Sequence, residues 1–79
     1  MPNGLRNWAY KDVIHFLEEN GFSFSKCRIG SHEVWLSKRD GKDFMVEVNK
    51  TSSSYPPRTL ETMIRQSGFD KKFWRNWQG

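Results

Sequence analysis

Residues 22–48 decide the fold, and they read FSFSKCRIGSHEVWLSKRDGKDFMVEV. Every second residue from position 22 to position 28 falls on one face if this chain is extended, because successive side chains of a strand point to opposite sides. Residues 29–31 and the pair Asp40-Gly41 supply turns, and Asp-Gly is a strong signal for a tight hairpin. The stretch therefore predicts three antiparallel strands joined by two short turns.

The length of the first turn sets the register of the first two strands. A three-residue turn at positions 29–31 places Arg28 opposite His32, whereas a two-residue turn opposes Phe24 to Trp35 and mixes the two faces of the sheet. We favour the three-residue turn, which predicts that Trp35 lies on the other face of the sheet. The apolar face is then predicted to consist of Phe22, Phe24, Val34, Leu36, Phe44, Val46 and Val48.

An amphipathic helix is predicted before the strands. Its apolar residues recur at helical spacing, at Tyr10, Val13, Ile14 and Leu17. We expect it to end at Asn20-Gly21, because glycine readily takes the left-handed conformation that closes a helix.

A second helix is predicted after the strands. Pro56-Pro57 can open it, since proline is tolerated in the first turn of a helix, and Ser67-Gly68 can end it. Its apolar stripe consists of Leu60, Met63 and Ile64. Asp70 is then a candidate N-cap for a short third helix.

The predicted order of elements is α-β-β-β-α with a small terminal helix. This order defines an α+β fold of two layers, a three-stranded antiparallel sheet with helices on one face. We expect the 79 residues to form a single domain, with a core at about 10–69 and a short C-terminal helix at about 70–77. The same order and layering describe the double-stranded-RNA-binding-domain fold, an analogy that carries no function by itself.

The charge and cysteine content narrow the choice of partner and compartment. The formal net charge is +4, and residues 22–42 and 58–79 each carry five basic and two acidic side chains. Such a balance favours phosphate backbones or acidic partners, although it also serves solubility. Cys27 is the only cysteine, which suits a reducing compartment. We expect neither a signal peptide nor a membrane-spanning segment, and therefore a cytoplasmic protein that does not bind a membrane.

Histidine is the residue best suited to chemistry in this chain. The sequence contains no motif for a phosphate-binding loop, a dinucleotide site, a serine nucleophile or a zinc site, so we expect neither a cofactor nor a metal. His15 lies on the charged side of the first helix, where we expect it to be solvated. His32 opens the second strand directly after Gly30-Ser31, so the sheet fixes its backbone while small residues leave room for a substrate.

An unperturbed imidazole has a pKa of about 6.5 and can both accept and donate a proton near neutrality. In the favoured register Arg28 lies opposite His32, and Lys26 is nearby on the same face, where the two cations can hold a phosphate. A polar histidine at a strand end without any catalytic role fits the same features.

Three segments, taken in order, carry a family resemblance. They are residues 11–22 (KDVIHFLEENGF), the turn Gly30-Ser31-His32, and residues 58–68 (RTLETMIRQSG). Together they resemble the HicA (YcfA-like) mRNA interferase toxins, small ribonucleases of bacterial and archaeal toxin–antitoxin systems with a double-stranded-RNA-binding-like fold. The resemblance extends over about residues 11–74.

The resemblance implies that His32, the histidine of the Gly-Ser-His turn, is catalytic. It implies a metal-independent endoribonuclease that cleaves mRNA and is neutralised by a HicB-type antitoxin protein. Metal-free cleavage needs the 2′-hydroxyl of the RNA as nucleophile, a base to deprotonate it and cations for the charge that develops on phosphorus. The expected substrate-binding residues are the cations and small residues around the turn, namely Lys26, Arg28, Gly30, Ser31 and Lys50.

Two other functions remain open from the sequence. A non-catalytic RNA-binding module needs the same basic surface but no special role for His32. A protein-interaction domain would use Trp35 and the aromatic C-terminal tail. An exposed Trp35 can also stack on an unpaired base.

Overall fold

The computed structural model describes residues 4–78 and has the predicted α+β architecture. Its elements are α1 (Tyr10–Glu19), β1 (Ser23–Cys27), β2 (His32–Arg39), β3 (Lys42–Asn49), α2 (Pro57–Ser67) and α3 (Lys71–Arg75). The strands form one antiparallel sheet in the order β1-β2-β3. Between residues 4 and 78, no helix has both the length and the apolar character that crossing a bilayer requires.

The hairpin between β2 and β3 turns at Asp40-Gly41, as predicted. Both residues have positive φ, +51° and +78°, which matches the twist of the strands on either side. Arg39 therefore pairs with Lys42, and the ladder continues until Trp35 lies opposite Val46.

This pairing overturns the predicted apolar face. Trp35 is buried on the same face as Val46 and Val48, while Leu36 is 44% exposed on the other side. The prediction that Trp35 lies away from the covered face is therefore wrong. Across a two-residue turn, each odd-numbered residue of β2 pairs with an even-numbered residue of β3, as Arg39 does with Lys42. Odd positions of β2 therefore share a face with even positions of β3.

The hairpin between β1 and β2 has the three-residue turn that we favoured. The backbone N–H of Arg28 donates to the carbonyl of His32 at 2.7 Å. An irregularity between Phe24 and Lys26 then shifts the ladder, so that Phe24 opposes Trp35 after all. Such an irregularity is a bulge, which adds one residue to one strand. Phe24 is half exposed. Lys26 lies on the opposite face of the sheet, paired with Val34.

A single hydrophobic cluster joins the helices to the covered face of the sheet. α1 contributes Val13, Phe16 and Leu17, and α2 contributes its predicted stripe. Trp8 and Trp74 are completely buried in the same cluster, and the rings of Phe16 and Trp74 stack with 4.1 Å between their centroids. The aromatic C-terminal segment thus closes the core.

Helix α2 lies against the outer strand, β3. The backbone N–H of Glu47 donates to Gln66 Oε1 at 3.1 Å, which satisfies a donor of β3 that does not bond to β2. At the end of α2, the Arg39 guanidinium lies between the rings of Phe44 and Phe69 and donates to the carbonyl of Ser67. These contacts fix α2 beside the strand that faces His32.

Candidate active site

His32 stands at the start of β2, where the backbone is held from both sides. Its carbonyl accepts the N–H of Arg28, and the carbonyl of Ser31 accepts the N–H of Lys50 at 2.9 Å. His32 also pairs with Asn49 across the ladder. The side chain is half exposed, so a fixed backbone presents an accessible imidazole.

Arg28, His32 and Glu47 form a cluster of three ionisable side chains, which come from the residue after β1, the start of β2 and the middle of β3. Glu47 of β3 lies between the other two, with Oε2 at 3.0 Å from Arg28 Nη1 and Oε1 at 3.8 Å from His32 Nδ1. The contact between Arg28 and Glu47 is a charge-assisted hydrogen bond. The imidazole of His32 lies within ion-pairing distance of the same carboxylate. Glu47 is about one-third exposed.

Sequence reasoning found His32 and Arg28 but missed Glu47. Glu47 alternates with the apolar residues Val46 and Val48, so it reads as an ordinary solvent-facing residue of a strand. Its role depends on the β2–β3 register, which also places Val34 opposite Glu47.

Lys26 and Lys50 lie around this cluster without joining it. Lys26 is in the row of Val34 and Glu47, on the face that carries His32. Lys50 follows β3 and is exposed, and its backbone rather than its side chain holds the turn. Neither ammonium group makes an ion pair or hydrogen bond with residues 4–78.

Gly30 and Ser31 form the open side of the turn. Gly30 has φ +75°, and a Cβ built on it would meet no atom within 4 Å. Ser31 donates its hydroxyl to Asn49 Oδ1 at 3.0 Å, so this side chain ties the turn to β3. The space beside Gly30 is therefore open.

A cleft of about 300 Å³ begins at His32 and runs between β3 and α2. Its lining combines the imidazole and Glu47 with neutral polar side chains of both elements. The lining residues are His32, Glu47, Asn49, Thr59, Thr62, Met63 and Gln66. The cleft is at the small end of ligand pockets and fits a group of the size of a nucleobase.

The residue after His32 anchors β2 to the first helix. The carboxylate of Glu33 is buried and accepts hydrogen bonds from the Tyr10 hydroxyl, at 2.9 and 3.0 Å, and from Trp35 Nε1 at 3.1 Å. Burial, together with the hydrogen bond to Glu33 and its charge, raises the pKa of Tyr10 to about 12. Burial likewise raises the pKa of Tyr55 to about 12, with the charges of Tyr10 and Glu33 adding to the effect.

Trp35 and His15 lie outside this site. Trp35 is only 4% exposed, so the suggestion that it stacks on an RNA base or meets a protein partner at the surface is wrong. His15 is exposed, as predicted, and its Nε2 lies 2.6 Å from Glu19 Oε2, one turn further along α1.

Among residues 4–78, no group of three or more His, Cys, Asp and Glu side chains is arranged to hold a metal ion. Comparisons of the chain with protein-family models, with curated proteins and with solved structures found no match.

Proposed function

We propose that this protein is a metal-independent endoribonuclease that cleaves mRNA, with His32 as its catalytic residue. One observation carries the proposal. His32 is the half-exposed residue of a rigid turn, its Nδ1 faces the carboxylate of Glu47, and it opens onto a cleft between β3 and α2. A carboxylate 3.8 Å from one ring nitrogen leaves the other nitrogen of an accessible imidazole to act as a general base.

The chemistry needs few groups. Nε2 of His32 accepts the proton of the RNA 2′-hydroxyl as the 2′-oxygen bonds to phosphorus, and the bond from phosphorus to the 5′-oxygen breaks. The leaving oxygen takes a proton from water, and the products carry a 2′,3′-cyclic phosphate and a 5′-hydroxyl. Arg28, Lys26 and Lys50 supply positive charge for the phosphorus oxygens from around the turn.

The fold supports the same proposal. The element order α-β-β-β-α with a three-stranded antiparallel sheet is compatible with the double-stranded-RNA-binding-like fold, which the resemblance to HicA toxins implies. The proposal includes a cytoplasmic toxin neutralised by a HicB-type antitoxin. The physical mode we favour is a larger, more acidic protein that covers the His32 turn and the cations beside it.

Cleavage of a defined RNA in the presence of EDTA tests this proposal, with the matched 2′-O-methylated RNA as control. We expect the unmodified RNA to be cut to cyclic-phosphate ends and the methylated RNA to be bound but left intact, because it lacks the nucleophile. Cleavage to 3′-hydroxyl ends would contradict the mechanism. Binding of both RNAs without cleavage of either would instead support a non-catalytic RNA-binding module.

The structure weakens the third function considered from the sequence. A protein-interaction domain built on Trp35 requires that ring at the surface, but Trp35 and Trp74 are buried in the core, which leaves Phe73, 44% exposed, as the accessible ring of the aromatic tail.

A further inference from the structure

The cleft beside His32 carries two side-chain amides whose orientation is fixed. Gln66 faces the backbone N–H of Glu47 at 3.1 Å, and Asn49 faces the backbone N–H of Thr51 at 3.0 Å. Because each of these backbone groups is a donor, the amide atom that meets it must be the oxygen. The NH₂ groups of both amides are therefore the ends left for other partners.

The side-chain oxygen of Asn49 cannot accept a further hydrogen bond. It accepts the hydroxyl of Ser31 at 3.0 Å and the hydroxyl of Thr51 at 2.8 Å, in addition to the backbone N–H of Thr51. A carbonyl oxygen has two lone-pair sites. Neither the Asn49 nor the Gln66 NH₂ group donates a hydrogen bond within residues 4–78. Both residues line the cleft that begins at His32.

We propose that this cleft is a base-binding subsite that selects guanine and uracil over adenine and cytosine in single-stranded RNA. Guanine O6 and uracil O4 are keto acceptors, whereas adenine and cytosine carry an amino donor at the corresponding positions. An asparagine or glutamine usually recognises adenine with its oxygen and its NH₂ group together. That mode is closed to Asn49, whose side chain can offer a base only its NH₂ donor.

The inference rests on the proposed function, because it assigns the cleft to RNA. The subsite would hold a base next to the phosphate that His32 attacks, and it would make cleavage depend on sequence. The α2 side of the cleft suits a base rather than a phosphate, since Thr59, Thr62, Met63 and Gln66 are all uncharged, and the Glu47 carboxylate on the β3 side disfavours a phosphate.

Binding of nucleoside 3′-monophosphates to the ¹⁵N-labelled protein tests the inference without any cleavage. We compare guanosine with adenosine and uridine with cytidine, because each pair has the same ring size and matched stacking. We expect the keto base to bind about fivefold tighter, the factor supplied by one net hydrogen bond of ordinary strength. The side-chain NH₂ signals of Asn49 and Gln66 should shift with the keto bases.

Two near-isosteric variants test the role of the donors. Asn49→Asp and Gln66→Glu keep the oxygen that holds Ser31, Thr51 or Glu47 and remove the NH₂ group. Each should lower the guanosine-to-adenosine preference toward one. Gln78→Glu, at an exposed position outside the cleft, adds the same charge and should keep the preference of the native protein.

The outcomes separate this inference from the proposed ribonuclease. The subsite would be overturned if guanosine and adenosine bind equally and uridine and cytidine bind equally. It would also be overturned if the keto preference survives Asn49→Asp and Gln66→Glu, even if the protein cleaves RNA. A keto preference that both variants remove would support the subsite even if no RNA is cleaved, and the ribonuclease would then be the part that fails.

Discussion

The imidazole of His32 and the carboxylate of Glu47 face each other across the β2–β3 ladder, with 3.8 Å between Nδ1 and Oε1. The other oxygen of Glu47 is held at 3.0 Å by Arg28 Nη1, and the backbone N–H of Glu47 is held by Gln66. Arg28 therefore orients the carboxylate, while Gln66 of α2 fixes the backbone that carries it. The carboxylate is too far from Nδ1 for a hydrogen bond, but its negative charge favours the neutral tautomer that carries the proton on Nδ1, which leaves Nε2 as the base.

Glu47→Gln should reverse this arrangement. Arg28 is a donor, so the oxygen of the new amide turns to Arg28 and its NH₂ group faces Nδ1 of His32. We expect the neutral imidazole to change from the Nδ1–H to the Nε2–H tautomer, as read from ¹⁵N chemical shifts, with His15 as an internal control that does not change. The rate of RNA cleavage should fall by about tenfold, which is a part of the ~10²–10⁴-fold that a general base supplies. An unchanged tautomer would show that Glu47 does not position His32.

Arg28→Ala should weaken RNA binding in a salt-dependent way. Removing one phosphate contact lowers the slope of log Kd against log salt concentration by about 0.7 for a single strand. Lys72→Ala removes one charge from α3, outside the cluster, and should leave the slope near that of the native protein. Equal slopes for the native protein and Arg28→Ala, measured by fluorescence anisotropy, would remove Arg28 from the phosphate site.

Gly68→Ala should destabilise the protein more than Gly41→Ala. Both glycines have φ near +80°, but a Cβ at position 41 would meet open space, whereas one at position 68 would collide with the Phe44 ring and the Arg39 guanidinium. We expect Gly41→Ala to lower the free energy of unfolding by about 1–2 kcal/mol for its backbone conformation alone. Gly68→Ala should cost about 3 kcal/mol or more, because overpacking is added. Urea denaturation measures both, and equal losses would contradict the packing described at the end of α2.

The fold should lose stability at alkaline pH through its tyrosines. The pKa of Tyr10 is raised to about 12 from its ordinary value of 10.0, chiefly by burial and by its hydrogen bond to Glu33. A raised pKa stabilises the fold fully below pH 10, and this contribution is lost as the pH rises toward 12. Tyr55 acts in the same window.

We expect the urea midpoint of the native protein to fall steeply between pH 10 and pH 12. Tyr10→Phe should show a shallower fall, because one of the two shifted phenols is gone. It should also be less stable at neutral pH, since the buried Glu33 loses a donor. Parallel pH profiles for the two proteins would contradict the network around Glu33.

Local signals in the sequence were sufficient to predict the elements. The spacing of Val13 and Leu17, the prolines before α2 and the Asp40-Gly41 turn each act over a few residues, and the structure confirms the helices and the hairpin they indicate. The three-residue first turn is confirmed for the same reason.

The predicted faces of the sheet are wrong because they depend on the number of residues in each turn and on the bulge in β1. The two-residue turn puts Trp35 on the same face as Val46, and the irregularity after Phe24 shifts β1 against β2. No local residue pattern specifies such a bulge. The same holds for the site. His32 and Arg28 are neighbours through a short turn, whereas Glu47 joins them through the β2–β3 register and Gln66 through the packing of α2 against β3.

The most direct measurement of the central claim is the cleavage rate of one defined RNA in EDTA by the native protein, His32→Ala and His15→Ala, each confirmed to be folded. The two variants remove the two histidines of the chain, one in the cleft and one on the exposed face of α1. The account predicts that His32→Ala loses cleavage while His15→Ala retains it. Equal cleavage by His32→Ala and the native protein would contradict the assignment of His32 as the catalytic residue.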